Sequence, residues 1–225
     1  MEVIKQVAIK TTMRKIAIYG AGGFGKEIYC LIQEINRHQM QWDFIGYFDD
    51  AKTVGEQIYH GSVLGGMSEL NAFQEELGLV FAIGNPKTLN KLVHSVNNKK
   101  VFFPNLIAPD FRVLDQDTFQ IGHGNLIFSK SSVSCFVQIG DFNILNSLIA
   151  IGHDSKIGNC NVFMSGTRIS GEVSVGDNNF FGIYSVVLQR IVIGKNTVIG
   201  TSSVITNNPK DDTTYIGNPA KKFEY

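Results

Sequence analysis

The sequence is poor in cysteine and has no excess of charge of either sign. Its three cysteines, Cys30, Cys135 and Cys160, are odd in number, far apart and never in a C-x-x-C pair. That excludes a disulfide framework and a zinc knuckle, and fits a reducing compartment. Lys+Arg and Asp+Glu number 20 each, so the formal net charge is zero. A nucleic-acid binder, or a protein held on an anionic membrane, needs a basic surplus that is missing here. No run of about 18 apolar residues occurs, and the N-terminus lacks a signal-peptide core. The expectation is a cytoplasmic protein with no nucleic-acid or membrane partner. What the chain does have is apolar mass: 44% of its 225 residues are hydrophobic and 16 are Phe, enough for a sizeable core.

Two halves follow different periods, and the boundary is expected near residue 108: an α/β half over 1–108 and a repetitive half over 109–225. In the first, residues 15–19 (KIAIY) form a β-rich run, and 27–35 a helix with apolar residues at Ile28, Leu31, Ile32 and Ile35. Further strands are read at 44–48, 78–83 and 101–103, and a helix at 87–96. Strands alternating with helices imply a small Rossmann-like parallel sheet. The recognisable pattern begins just after Met13, which makes that residue a candidate alternative start.

The second half is a repeat. Every sixth residue from Ile121 to Ile205, 15 in all, is large and apolar. At this composition such a run arises by chance about 3 times in 100,000. Superimposed is a period of 18: Gly122, Gly140, Gly158, Gly176 and Gly194, and likewise Asn125, Asn143, Asn161 and Asn179. Three hexads therefore make one coil of a triangular parallel β-helix, with the apolar series filling the axis. Residues 121–210 fit this register without insertion, giving five coils. The glycines are expected to turn the corners, and the asparagines to form a stacked structural ladder.

Three groups of residues could carry chemistry. The G-x-G-x-x-G of Gly20, Gly22 and Gly25 sits between a strand and a helix, where backbone N–H groups and the helix dipole favour a phosphate. Asp49, at the end of the second strand, could hold a ribose hydroxyl. The pattern does not choose a dinucleotide over a nucleotide sugar. The second group is the two histidines inside the coils, His123 and His153. A His-based zinc site needs three, so no metal is expected. The third is a stacking relation: one coil after His153 lies Gly171, about 4.8 Å away. An imidazole beside an exposed glycine amide is a base next to an oxyanion donor. His123 is read as an exposed turn residue.

The stretches 19–25 (YGAGGFG), 47–50 (YFDD), 82–85 (AIGN), 146–158 with His153-Asp154, and 215–221 (YIGNPAK) occur in an order similar to that of the NeuD/PglD family of bacterial sugar acyltransferases. The resemblance spans residues 15–222. It implies a left-handed β-helix, and an acetyl group passed from acetyl-CoA to an amino or hydroxyl group of a sugar. His153 would be the general base with Asp154 as its acidic neighbour, and Asn146 would position the substrate. Strand alternation alone would point Asp154 away from His153, so the pair requires a bend at the corner. The nucleotide would lie on Gly22, Gly23 and Phe24, helped by Asp49, Asp50 and Asn85. Coenzyme A would lie along the coils, past Gly171 and Ile183, with Gly200, Thr201 and Lys221 near its adenine end. Val162 stands where the family commonly has a second, donor-side histidine. A homotrimer, with sites between neighbouring prisms, is also implied. The expectation is an N-acetyltransferase for a UDP- or dTDP-linked amino sugar, acting at a 4-amino group. Open alternatives are O-acetylation, as on sialic acid, and a noncatalytic nucleotide-binding scaffold.

Overall fold

The structure, a computed structural model, describes residues 13–224. The first dozen residues, for which the sequence gives no reading, lie outside it. The α/β half runs β1 (Arg14–Tyr19), α1 (Gly23–His38), β2 (Trp42–Phe48), β3 (Gln57–Ile58), β4 (Gly61–Gly65), α2 (Met67–Asn71), β5 (Leu77–Phe81), α3 (Pro86–Ser95) and β6 (Val101–Phe102). The sheet order is β3-β4-β2-β1-β5-β6, parallel throughout except for the β3–β4 hairpin. Helix α1 buries the predicted stripe of Ile28, Leu31, Ile32 and Ile35 against it. The hairpin and α2 have no counterpart in the sequence reading. Their strands and helix are only two to five residues long, too short for either period to emerge.

From Leu106 onward the chain winds into a triangular prism of two-residue rungs, each paired in parallel with the rung one coil on. Three sheets result, joined by three corners. The first face carries Leu126–Ile127, Ile144–Leu145, Val162–Phe163, Phe180–Phe181 and Val198–Ile199; the second runs to Val204–Ile205; the third runs from Gln120–Ile121 to Val192–Ile193. This is the left-handed parallel β-helix that hexapeptide repeats form. The axial series from Ile127 to Ile205 is buried throughout, at most 4% exposed, and Ile121 is partly buried. Such burial stabilises by about 1.5–3 kcal/mol per side chain. Register holds to Val204–Ile205, after which the chain leaves it: the closing hairpin, Thr214–Gly217 with Ala220–Phe223, joins the first face at Val198–Ile199.

The asparagine ladder is as expected. Asn125, Asn143, Asn161 and Asn179 are fully buried. The Oδ1 of Asn143 accepts from the Asn161 backbone N–H at 3.0 Å, and its Nδ2 donates to the Gly158 carbonyl at 2.8 Å. The same pair of bonds recurs along the column, so every buried amide is satisfied.

The corners differ from expectation. Fourteen successive positions, every sixth residue from Gly124 to Ser202, have φ between +53° and +78°, and twelve of them are not glycine. The stacked coils therefore hold ordinary residues in the left-handed region, where each costs roughly 1–2 kcal/mol. The 18-spaced glycines serve close approach instead. A Cβ on Gly122, Gly140, Gly158 or Gly176 would stand 2.4–2.8 Å from the carbonyl oxygen of the glycine one coil on.

The α/β half packs on the first face. Leu106, Leu126, Ile144 and Val162 join the core of the sheet and α1, together with Phe142 and Cys160 from the third corner. Val162 is 1% exposed there. The family's donor-side position is thus buried between the two halves, and the expectation that Val162 meets a cofactor is corrected: it has no surface to offer a ligand.

Candidate functional site

The glycine loop divides into two kinds of glycine. Gly20 has φ +109°, and a Cβ there would sit 2.9 Å from the Ala82 carbonyl oxygen; one on Gly25 would sit 2.3 Å from the Gly20 carbonyl oxygen. These two let strand, turn and helix close on each other. A Cβ on Gly22 or Gly23 would meet nothing within 4 Å. Gly22 caps α1 without a side-chain bond, and the first turn contains no acidic residue. The open backbone and the exposed N–H groups of α1 therefore coincide, as phosphate binding requires.

Asp49 and Asp50 shape this loop. Asp49 Oδ2 accepts from the Ala21 N–H at 2.8 Å and Oδ1 from the Ala51 N–H at 2.9 Å. Asp50 accepts from the Tyr19 hydroxyl at 2.5 Å and from the Met67 N–H at 2.8 Å. Burial, and then the Asp50 carboxylate, push the Tyr19 phenol well above its usual range. Asn85 caps α3, its Oδ1 accepting from the Thr88 N–H at 3.0 Å. A cavity of about 440 Å³ opens between Gly84–Lys87 and Asn178, Phe180, Asn196 and Val198 of the prism. Elsewhere between the halves, Phe24 meets Phe128 of the first corner, ring centroids 5.9 Å apart.

The second corner holds His153. Asp154 has φ +56°, the bend that alternation alone does not supply. The His153 Nδ1–H donates to Asp154 Oδ2 at 2.8 Å, which leaves Nε2 as the basic nitrogen. The imidazole lies over Gly171: a Cβ on that glycine would stand 2.5 Å from Nε2. At the third corner the matching amides of His123, Asp141 and Asn159 are each bonded by the side chain one coil on, Asp141, Asn159 and Asp177. The Gly171 amide has no such partner among the described residues; the side chain one coil on, Gln189, donates to Glu172 at 2.6 Å instead. Arg190 and Gln189 hold the Glu172 carboxyl below its usual range. An unspent N–H beside a carboxylate-held imidazole can stabilise an oxyanion while a proton moves. His123 also bonds a carboxylate, Asp141 at 2.9 Å, but its ring lies against Phe142 and Phe103.

Asn146 stands at the first corner, across the Ala150–Ile151 rung from His153. It differs from the ladder asparagines. It is only half-buried, its Nδ2 meets just the Met164 Sδ at 3.4 Å, and its Oδ1 accepts nothing among the described residues. Ile183, Gly200 and Thr201 share this first corner, with Ile183 40% exposed. Lys221 is exposed on the closing hairpin. Within one chain, then, the predicted residues fall into three groups, the glycine-loop side of the sheet, the first corner and the second corner, with Val162 buried on the first face and Lys221 apart on the closing hairpin. Phe128, Met164, Glu172 and Gln189 are additions that no motif marks.

A Rossmann-like sheet seated on a hexapeptide prism, with a histidine–carboxylate pair at an open corner, is the architecture of a hexapeptide-class acyltransferase. The comparisons agree. Residues 15–96 match the PglD N-terminal domain, and residues 172–207 match the bacterial transferase hexapeptide (six repeats). No curated protein matches the chain. Among solved structures, the chain is similar to WeeI from Acinetobacter baumannii at 26% identity and TM-score 0.83, covering 94% of this chain and 100% of that one. The acetyltransferase domain of PglB from Neisseria gonorrhoeae, in complex with acetyl coenzyme A, aligns at 25% identity and TM-score 0.82, covering 94% and 100%. PerB from Caulobacter crescentus, in complex with CoA and GDP-perosamine, shares the fold at 23% identity and TM-score 0.80, covering 93% and 97%.

Proposed function

We propose that the protein is a cytoplasmic N-acetyltransferase that moves an acetyl group from acetyl-CoA to the 4-amino group of a nucleotide-linked sugar. The observation that carries this reading is the His153 imidazole, held by Asp154, lying over the unbonded amide of Gly171. Acetyl-CoA supplies the acyl group in activated form, as a thioester. His153 Nε2 takes the proton that the amine sheds as the C–N bond forms, and returns it to the thiolate as the C–S bond breaks. Gly171 N–H donates to the carbonyl oxygen while that atom carries negative charge. Asp154 holds the ring in one orientation and stabilises the transient imidazolium.

The acceptor's nucleotide lies on Gly22 and Gly23 at the start of α1, in a loop fixed by Asp49 and Asp50, with Asn85 across the crevice. This directs the sugar toward Asn146. Asn146 and His153 occupy different corners of one prism, so the two meet when the first corner of one copy faces the second corner of the next. Exposed Leu148, Ile183, Tyr184 and Leu188 at or beside these corners supply apolar surface for that contact. Three copies around an axis give three equivalent sites. The donor then runs between prisms, past Ile183, Gly200 and Thr201 toward Lys221. Release of free thiol from acetyl-CoA, measured across UDP-, dTDP- and GDP-linked 4-amino sugars, tests the reaction; no release with any of them sinks it. Light scattering is expected to report a trimer, and a monomer would remove the shared site.

A further inference from the structure

A cavity of about 550 Å³ lies on the α/β half, apart from the glycine loop, where the C-terminal half of α1, the start of β2 and the β3–β4 turn meet. One part of its lining is aromatic. Tyr29 stacks on His60, ring centroids 5.0 Å apart and planes 10° apart, and meets Phe44 edge to face at 5.0 Å. The turn that carries His60 is pinned, because the Tyr47 hydroxyl donates to the Tyr59 carbonyl at 2.8 Å. Another part is fixed by Asn36. Its Oδ1 accepts from the Gln41 and Trp42 N–H groups at 3.1 and 2.9 Å, and its Nδ2 donates to the Trp42 carbonyl at 2.7 Å. Gln33, Arg37 and Asp43 line the same space, and none of their side chains has a hydrogen bond or ion pair among the described residues. Arg37 and Asp43 thus share one cavity with opposite charges and no pairing between them.

We propose that this cavity binds a neutral hexopyranose, free or at the end of a chain, at a site separate from acetyl transfer. The charges of Arg37 and Asp43 cancel, and the C-terminal end of the α1 dipole is negative, so a phosphate-bearing ligand gains nothing here. A sugar hydroxyl both donates and accepts. The lining meets it with a donor-only guanidinium, an acceptor-only carboxylate and an amide that does both. The C–H face of a pyranose carries slight positive charge and suits the negative face of an aromatic ring. The volume falls within the range of about 300–1,000 Å³ found for small-ligand sites. The inference stands independently of the acetyl-transfer reading, whose residues it does not use.

Trp42, the single tryptophan of the chain, lines this cavity, so its fluorescence reports on the site directly. The full chain is titrated with methyl glucoside, N-acetylglucosamine and cellobiose, and with UDP and free tyrosine as probes of other ligand classes. At least one sugar is expected to change the Trp42 emission, with a Kd on the order of millimolar. Tighter binding of cellobiose than of the monosaccharides assigns the site to a chain end, and equal binding to a free sugar. His60→Gly removes one aromatic wall at a residue with φ +55°, a conformation glycine adopts freely. Gln33→Ala removes one polar contact from the surface of α1. Each variant is expected to weaken the sugar about tenfold with its circular dichroism unchanged. No response to any sugar, a response to UDP or tyrosine instead, or sugar binding untouched in both variants would overturn the site.

Discussion

The two halves of this molecule encode their roles in opposite ways. In the prism a role belongs to a column, and the same side chain performs it coil after coil: Asn125, Asn143, Asn161 and Asn179 make one pattern of bonds four times. In the α/β half each role is performed once, as by Asp49 on the glycine loop or Asn85 at the start of α3. Candidate function is therefore sought differently in each. In the sheet it follows from context, a glycine loop between strand and helix. In the prism it stands out as an exception to a column: an asparagine between a phenylalanine and a methionine, or a histidine where the next coil has no side chain.

The largest test of this contrast is His153→Ala, expected to lower kcat by about 100- to 10,000-fold while leaving fold and nucleotide binding intact. His123→Ala, at a column position bonded to Asp141, is expected to be nearly silent in the same assay. Similar rates for His153→Ala and the parent chain would refute the base.

Asn143→Ala tests the other side of the contrast, since it breaks a column instead of an exception. It strands the Asn161 N–H and the Gly158 carbonyl inside the prism, at about 1–3 kcal/mol each. A fall in melting temperature of several degrees is expected, against a cost of about 1 kcal/mol for removing the single helix cap in Asn85→Ala. Equal shifts in the two variants would show that the ladder is not cooperative support.

The α/β half can be probed through its ligand. UDP, dTDP or GDP at a hundredfold excess over Kd is expected to stabilise the chain by about 2.7 kcal/mol, with little effect from NAD. Stabilisation by NAD alone would reassign the glycine loop. The smallest effect expected is that of Gly171→Ala. Its Cβ would stand 2.5 Å from His153 Nε2, so the imidazole must swing aside. A rate loss of about tenfold with an unchanged melting temperature is expected. Unfolding, with no change in rate per folded chain, would make Gly171 a packing glycine like Gly158.

The prism's rungs, axis and ladder were legible because a period repeated many times overwhelms composition. Strands β1, β2 and β5 and helices α1 and α3 were legible from apolar spacing. The β3–β4 hairpin and α2 were not, being too short to show a period. The glycines were read as corners because glycine favours positive φ. Yet twelve other residues take that conformation, held there by coils stacked on both sides. Val162 looked like a ligand position because the sequence does not say which outward face is covered by the other half. His153 and Asp154 were legible as a pair only through the resemblance; the φ of +56° at Asp154 is the physical reason they meet. Phe128 and Met164 carry no motif, and their joint position with Asn146 emerges only from the column they share.

The 18-residue coil also makes the prism a graduated ruler. Inserting or deleting six residues turns everything beyond that point by one face, and eighteen slide it by one strand spacing of about 4.8 Å while keeping its face. A length that is not a multiple of six puts the axial series out of register. A catalytic group carried here can relocate during divergence only in such increments. Homologous prisms should therefore differ in length by multiples of six within their coils, with all other insertions confined to the corners.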